Sequence, residues 1–144
     1  MPRLASSLSL ALALLVVSGC DSGSDAALVL DGTFAGSAQS EVVAGADPTV
    51  VTLGVGIDFD AVAPGAYSAF ARVETEVPGF PPDLYAGTVS GTLAADGTVS
   101  VSGTLRDGDD QTFTFSGTGD ATASRITLAT TGTLPVAELV LRRQ

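Results

Sequence analysis

The chain has 144 residues, with 16 Asp and Glu against six Lys and Arg, no His and a formal charge of −10. Those counts exclude a basic surface for nucleic acid or anionic lipid. With 45% apolar residues the chain lies outside the composition of disordered proteins and is expected to fold.

In chain order, Arg3 supplies a short positive start and Leu8 to Val17 reads LSLALALLVV. A spanning helix needs about 20 apolar residues, so this run is too short to cross a bilayer comfortably. A positive start, a short apolar run and small residues at its end predict a secretory signal peptide over residues 1–19. A helix belonging to the domain would be amphipathic, and this run is apolar on every side.

Val17-Ser18-Gly19-Cys20 resembles the lipobox of bacterial lipoproteins: a branched apolar residue, two small residues and a cysteine. The resemblance covers residues 1–20 alone. It implies cleavage before Cys20, acylation of its thiol, and a protein anchored to the membrane without spanning it. Each buried methylene contributes about 0.8 kcal/mol, and two or three acyl chains hold stably where one holds reversibly. The competing reading is an ordinary signal peptide followed by a free thiol. Cys20 is the single cysteine, so no disulfide forms within the chain. Asp21 resembles an inner-membrane retention signal of enterobacterial lipoproteins. Asp21 with Asp25 also resembles the acidic surface-export signal of other Gram-negative lineages. The expectation is the outer membrane or cell surface over the inner membrane, with the face left open. Residues 20–27 read as the lipidated Cys and a flexible tether, and residues 28–144 as one domain.

Past residue 27, alternation of apolar and polar residues dominates. Eight strands are predicted, at about 28–37, 49–59, 66–76, 84–94, 97–106, 111–118, 124–132 and 136–143. Turn chemistry separates them: Gly45-Ala46-Asp47-Pro48, Ala63-Pro64-Gly65, Pro78 to Asp83, Ala95-Asp96-Gly97, the loop from Asp107, Gly119-Asp120-Ala121, and Thr133-Leu134-Pro135. Asp96-Gly97 is a strong tight-hairpin signal. Connections this short make an antiparallel up-and-down meander, because parallel strands need long crossovers. The prediction is an all-β fold that closes into a small barrel, or a β-sandwich built from the same strands.

The inward face is predicted to hold Leu30, Phe34, Leu53, Val55, Ile57, Tyr67, Val73, Tyr85, Val89, Leu93, Val99, Val101, Phe113, Phe115, Ile126, Leu128, Leu139 and Leu141. Gly54 and Gly56, opposite that face, suggest bends or a close backbone approach. Leu30-Asp31-Gly32-Thr33-Phe34 at the start and Ala137 to Arg143 at the end resemble the outline of lipocalin-like barrels. There a Gly-x-Trp strand and a late Arg lie together at the closed end. This chain has no Trp and no C-terminal helix follows, so the resemblance is one of architecture. A spanning outer-membrane barrel would need aromatic girdles, and the chain has two Tyr and no Trp.

Chemistry is limited by what is missing. Without His there is no imidazole base, and without Lys no Schiff base. The one Cys is assigned to lipid, so zinc lacks its usual ligands. No catalytic residues are predicted. Calcium accepts oxygen ligands, and Asp107, Asp109 and Asp110 around Gly108 are its best candidates, with Asp58 and Asp60 second. The same residues also read as an acidic hairpin turn. In Pro78-Gly79-Phe80-Pro81-Pro82, Phe80 is expected to cap the core, with a partner contact or a lid as the alternative. Two functions follow as expectations. One is a structural or interaction role among envelope proteins. The other is a lipocalin-like carrier of a small apolar ligand.

Overall fold

The computed structural model describes residues 27–43, 45–131 and 138–144. The expected signal peptide, Cys20 and the tether up to residue 26 lie outside the described residues.

The domain is all-β. Its strands are β1 (Leu30–Val43), β2 (Pro48–Val62), β3 (Gly65–Glu76), β4 (Asp83–Leu93), β5 (Thr98–Arg106), β6 (Thr112–Asp120), β7 (Arg125–Thr131) and β8 (Leu139–Arg143). Each pairs antiparallel with the next, and β8 pairs with β1 to close the barrel. The sandwich alternative is thereby set aside. Closure leaves no free sheet edge for another chain to extend.

Most strand limits fall within two residues of the prediction; β8 starts at Leu139, three residues late, and the ends of β1 and β2 run on. β1 was expected to end at residue 37 and runs to Val43, pairing with β2 from Ala38↔Leu53 to Val43↔Pro48. Its last six residues, AQSEVV, turn Ala38, Ser40 and Val42 inward, so a single valine is all that marks their period. Pairing with β2 orders them instead of burial. β2 in turn reaches Val62, three residues past its expected end.

Period-two alternation places the core. All 18 residues assigned to the inward face are buried except Tyr85, which is half-buried against the cluster. Val51, Phe59, Val62, Leu105 and the small residues Ala69 and Ala71 join them. Aromatic rings fill both ends of the interior. Phe34, Phe59 and Tyr67 meet edge to face with centroids 5.4 and 5.5 Å apart. Tyr85 and Phe113 lie 5.7 Å apart nearer the other end. A barrel of eight strands is just wide enough for side chains to fill. Polar residues cover the outside, the reverse of the order in a barrel that crosses a bilayer.

Two inward glycines let strands approach. A Cβ on Gly36 would stand 2.1 Å from the carbonyl oxygen of Val140, across the β1–β8 seam. A Cβ on Gly91 would stand 1.8 Å from the carbonyl oxygen of Ser100 and 2.7 Å from the Tyr67 hydroxyl. That opening lets the Tyr67 hydroxyl cross β4 and donate to the Ser100 carbonyl at 2.6 Å. Burial pushes the Tyr67 pKa up to about 12, because a phenolate there would be poorly solvated.

The meander sorts the connections. Residues 63–64, 94–97 and 121–124 lie at the end where β1 begins. Residues 45–47, 77–82 and 107–111 lie at the far end.

Candidate interaction surface

The acidic loop after β5 is built as a turn. Asp107 Oδ1 accepts hydrogen bonds from the backbone N–H groups of Asp109 at 2.9 Å and Gln111 at 2.8 Å. Asp110 has φ of 61° and its carboxylate stands 3.7 Å from the Arg106 guanidinium. The Asp107 carboxylate is thus turned to its own backbone and that of Asp110 to Arg106. Among the described residues no group of three acidic, His or Cys side chains converges to hold a metal. Asp58, the second candidate, accepts from Thr33 Oγ1 at 2.6 Å and from Arg72 at 3.4 Å, so it ties β1, β2 and β3 together on the outside. Asp96 and Asp120 serve the near-end turns. Hydrogen bonds from the Thr98 backbone and the Thr122 hydroxyl, respectively, hold their carboxyls below the usual range.

Phe80 corrects the expectation placed on it. It is 71% exposed and caps nothing. The Phe80 N–H donates to the Val77 carbonyl at 3.0 Å, closing a turn that holds the ring outside the barrel. Val43 (72% exposed), Val50 and Leu84 are also exposed. All four lie at the far end, on β1–β4 and their connections. Exposed apolar side chains gathered on one side mark interaction surfaces, whereas scattered ones need no explanation.

Beside Leu84 the outer face of β1–β4 is hollowed. A concavity of about 500 Å³ is lined by residues that include Ala35, Gly54, Gly56, Arg72, Glu74 and Leu84. It runs through Gly54 and Glu74 into a smaller one of about 220 Å³ that adds Thr52 and Glu76. The hollow exists because β2 carries glycine at two successive outward positions. A Cβ on Gly56 would meet nothing within 4 Å, and one on Gly54 only the Glu74 carbonyl at 3.9 Å. The close approach expected at these two positions is therefore not what they provide; they leave open space. Cross-strand pairing sets Gly54 beside Glu74 and Glu74 beside Leu84.

The surroundings are acidic. Glu41, Glu74, Glu76 and Asp83 border the groove or the far rim, and none makes an ion pair among the described residues. Burial and the charges on Asp83 and Asp107 raise the pKa of Tyr85, which places negative potential over this end of the core. Another concavity, of about 590 Å³, lies over β3–β5 and is lined by Ala66, Tyr67, Ser68, Ser90, Gly91, Thr92 and Ser102. It is larger but offers no charge. Thr92 also spends its hydroxyl on Ser100, at 2.8 Å.

The groove was not foreseen. Its sequence signal is the Gly54-x-Gly56 pair on the polar face of a long strand, with Arg72, Glu74 and Glu76 alternating on the next. Comparison with known proteins gives no matching family model, no similar curated protein and no similar solved structure.

Proposed function

We propose that the chain is a membrane-tethered docking module of the bacterial envelope. Lipid on Cys20 holds it at a membrane, the filled barrel serves as a rigid body, and the outer face of β1–β4 binds a protein partner. It has no catalytic role in this reading. One observation carries it: among the described residues, four of the six exposed large apolar ones, Val43, Val50, Phe80 and Leu84, lie at the end away from the start of β1. A tether that precedes β1 leaves that end facing away from the membrane. The packed interior and its aromatic ends support this reading over a carrier, which would need a hollow.

The test is site-specific photo-crosslinking in intact cells, with benzoylphenylalanine at position 80, 84 or 116. Ser116 lies on the outer Ser/Thr face of β6. One defined protein adduct from positions 80 and 84, absent from 116, is the expected result. Equal labelling from all three positions, or none, overturns the reading.

A further inference from the structure

We infer that the β1–β4 groove takes an extended segment of the partner that carries a cationic side chain, its aliphatic stem over Gly54 against Leu84 and its charge between Glu74 and Glu76. This inference rests on the docking reading above and specifies the chemistry of its partner.

The argument begins with shape. Gly54 and Gly56 give the groove a floor of bare backbone, and neither has the positive φ that would require glycine. Their missing side chains make room and do not relieve strain. Leu84, 56% exposed, forms an apolar wall across from Gly54, beyond Glu74. A long side chain with an apolar stem and a charged head fits a site that is apolar at its floor and charged at its rim.

Charge then selects the sign. Glu74 and Glu76 are two residues apart on one face of β3, about 6.7 Å along the strand. The cation that lines the groove, Arg72, is engaged with Asp58 at 3.4 Å. A neutral or acidic segment laid over this groove would take two carboxylates out of water without a partner, which costs far more than it returns. A guanidinium or ammonium placed between them is hydrogen-bonded from both sides. The excess of acidic residues over the whole chain also speeds the approach of a cationic segment.

The probe is fluorescein-labelled acetyl-(Val-Arg)₄-amide, with acetyl-(Val-Gln)₄-amide as the neutral control. Anisotropy is read on the purified full chain at about 0.15 M salt, where long-range attraction is largely screened. The arginine peptide is expected to bind and the glutamine peptide not. Gly54→Val fills the groove and Glu74→Gln with Glu76→Gln removes the charge. Each is expected to weaken binding at least about tenfold, equivalent to about 1.4 kcal/mol. Asp107→Asn with Asp109→Asn removes the same charge elsewhere on the far end and leaves affinity within about twofold by the same conversion. Melting temperature is measured alongside; a Gly54→Val variant that melts early is replaced by Leu84→Ser, which also removes a groove wall. Three results overturn the inference: no binding of the arginine peptide, equal loss from the Asp107/Asp109 variant, or unchanged binding when the groove is filled. Adducts at positions 80 and 84 would persist in any of these cases, so the docking reading stands or falls separately.

Discussion

Gly36→Ala and Gly56→Ala add the same methyl group to neighbouring strands and are expected to act in opposite directions. At Gly36 the new Cβ would lie 2.1 Å from the Val140 carbonyl oxygen, 3.0 Å from its carbon and 3.2 Å from Leu141 Cδ2. Ordinary contact begins at 3.4 Å, so β8 must retreat by more than 1 Å. The seam has little to resist with. Among the described residues β8 pairs with β1 at Phe34↔Arg143 and Ala35↔Arg142, helped by Gln144, whose backbone N–H donates to Thr33 at 3.0 Å. Overpacking costs about 1–3 kcal/mol, and each seam hydrogen bond lost adds about 1 kcal/mol. The expected destabilisation is therefore about 2–5 kcal/mol on those two scales. At Gly56 the methyl meets nothing. Replacing a strand glycine there removes an entropic cost of about 0.5–1 kcal/mol, so stability is expected to hold or rise slightly. Urea unfolding followed by far-UV circular dichroism gives both midpoints. A Gly36→Ala midpoint equal to wild type, or a Gly56→Ala midpoint well below it, would refute the assignment of inward and outward faces at the seam.

Other consequences are open to measurement. Tyr67 is neutral in the fold, with its pKa pushed up to about 12 from 10.0. A raised folded-state pKa gives stability that is full below the unfolded value and is lost as pH rises through the folded one. Stability should fall between about pH 10 and 12, and Tyr67→Phe should flatten that fall while costing about 1 kcal/mol at neutral pH through the hydrogen bond to Ser100. An unchanged alkaline profile would count against the burial of this phenol. In the loop after β5, Asp107→Ala strips two backbone donors and should cost about 0.5–2 kcal/mol, as loss of a capping side chain does, whereas Asp107→Asn should be nearly neutral. Millimolar calcium should leave the melting temperature unmoved; a rise that Asp109→Ala abolishes would favour the calcium reading. Palmitate at a hundredfold excess over a carrier's dissociation constant would add about 2.7 kcal/mol, and a filled barrel should gain none of it.

Fold and core were legible because period-two alternation runs through nearly every strand and short turns break it. Phe113 and Phe115, or Val99 and Val101, can face only one way once the sheet has one dry side. The barrel was legible as one of two options, since sandwich and barrel use the same strands. Choosing between them needs the β1–β8 pairing, carried by Gly36 and residues 142–144, and no local pattern announces such a contact. β1 beyond residue 37 was illegible for a related reason: its inward positions are Ala38, Ser40 and Val42, of which the valine alone marks a face. Phe80 misled because a large aromatic between prolines is read as core by hydrophobicity alone. What overrides hydrophobicity is the turn closed onto Val77, which aims the ring outward. The acidic loop was read both ways, and only the placement of Asp107 Oδ1 against its own backbone shows what that carboxylate does.

The two faces of this sheet do separable work, which makes the proposed function testable without unfolding the protein. Inward positions carry stability, and truncating Phe34 or Phe115 should cost about 3–5 kcal/mol, a large share of what a small domain has. The outward positions that shape the groove carry almost none: Gly54 and Gly56 have no side chain to pack, and Glu74 and Glu76 make no ion pair among the described residues. Selection for stability alone would fill such glycines, because Val or Thr suits a strand better. Retaining two of them side by side, walled by an exposed leucine and unpaired carboxylates, leaves part of the surface less stable than the fold allows. On the proposed reading that part of the surface is left open for something outside the chain. Gly54→Val thus sets the two demands against each other in one substitution, with a melting temperature held or raised and binding lost.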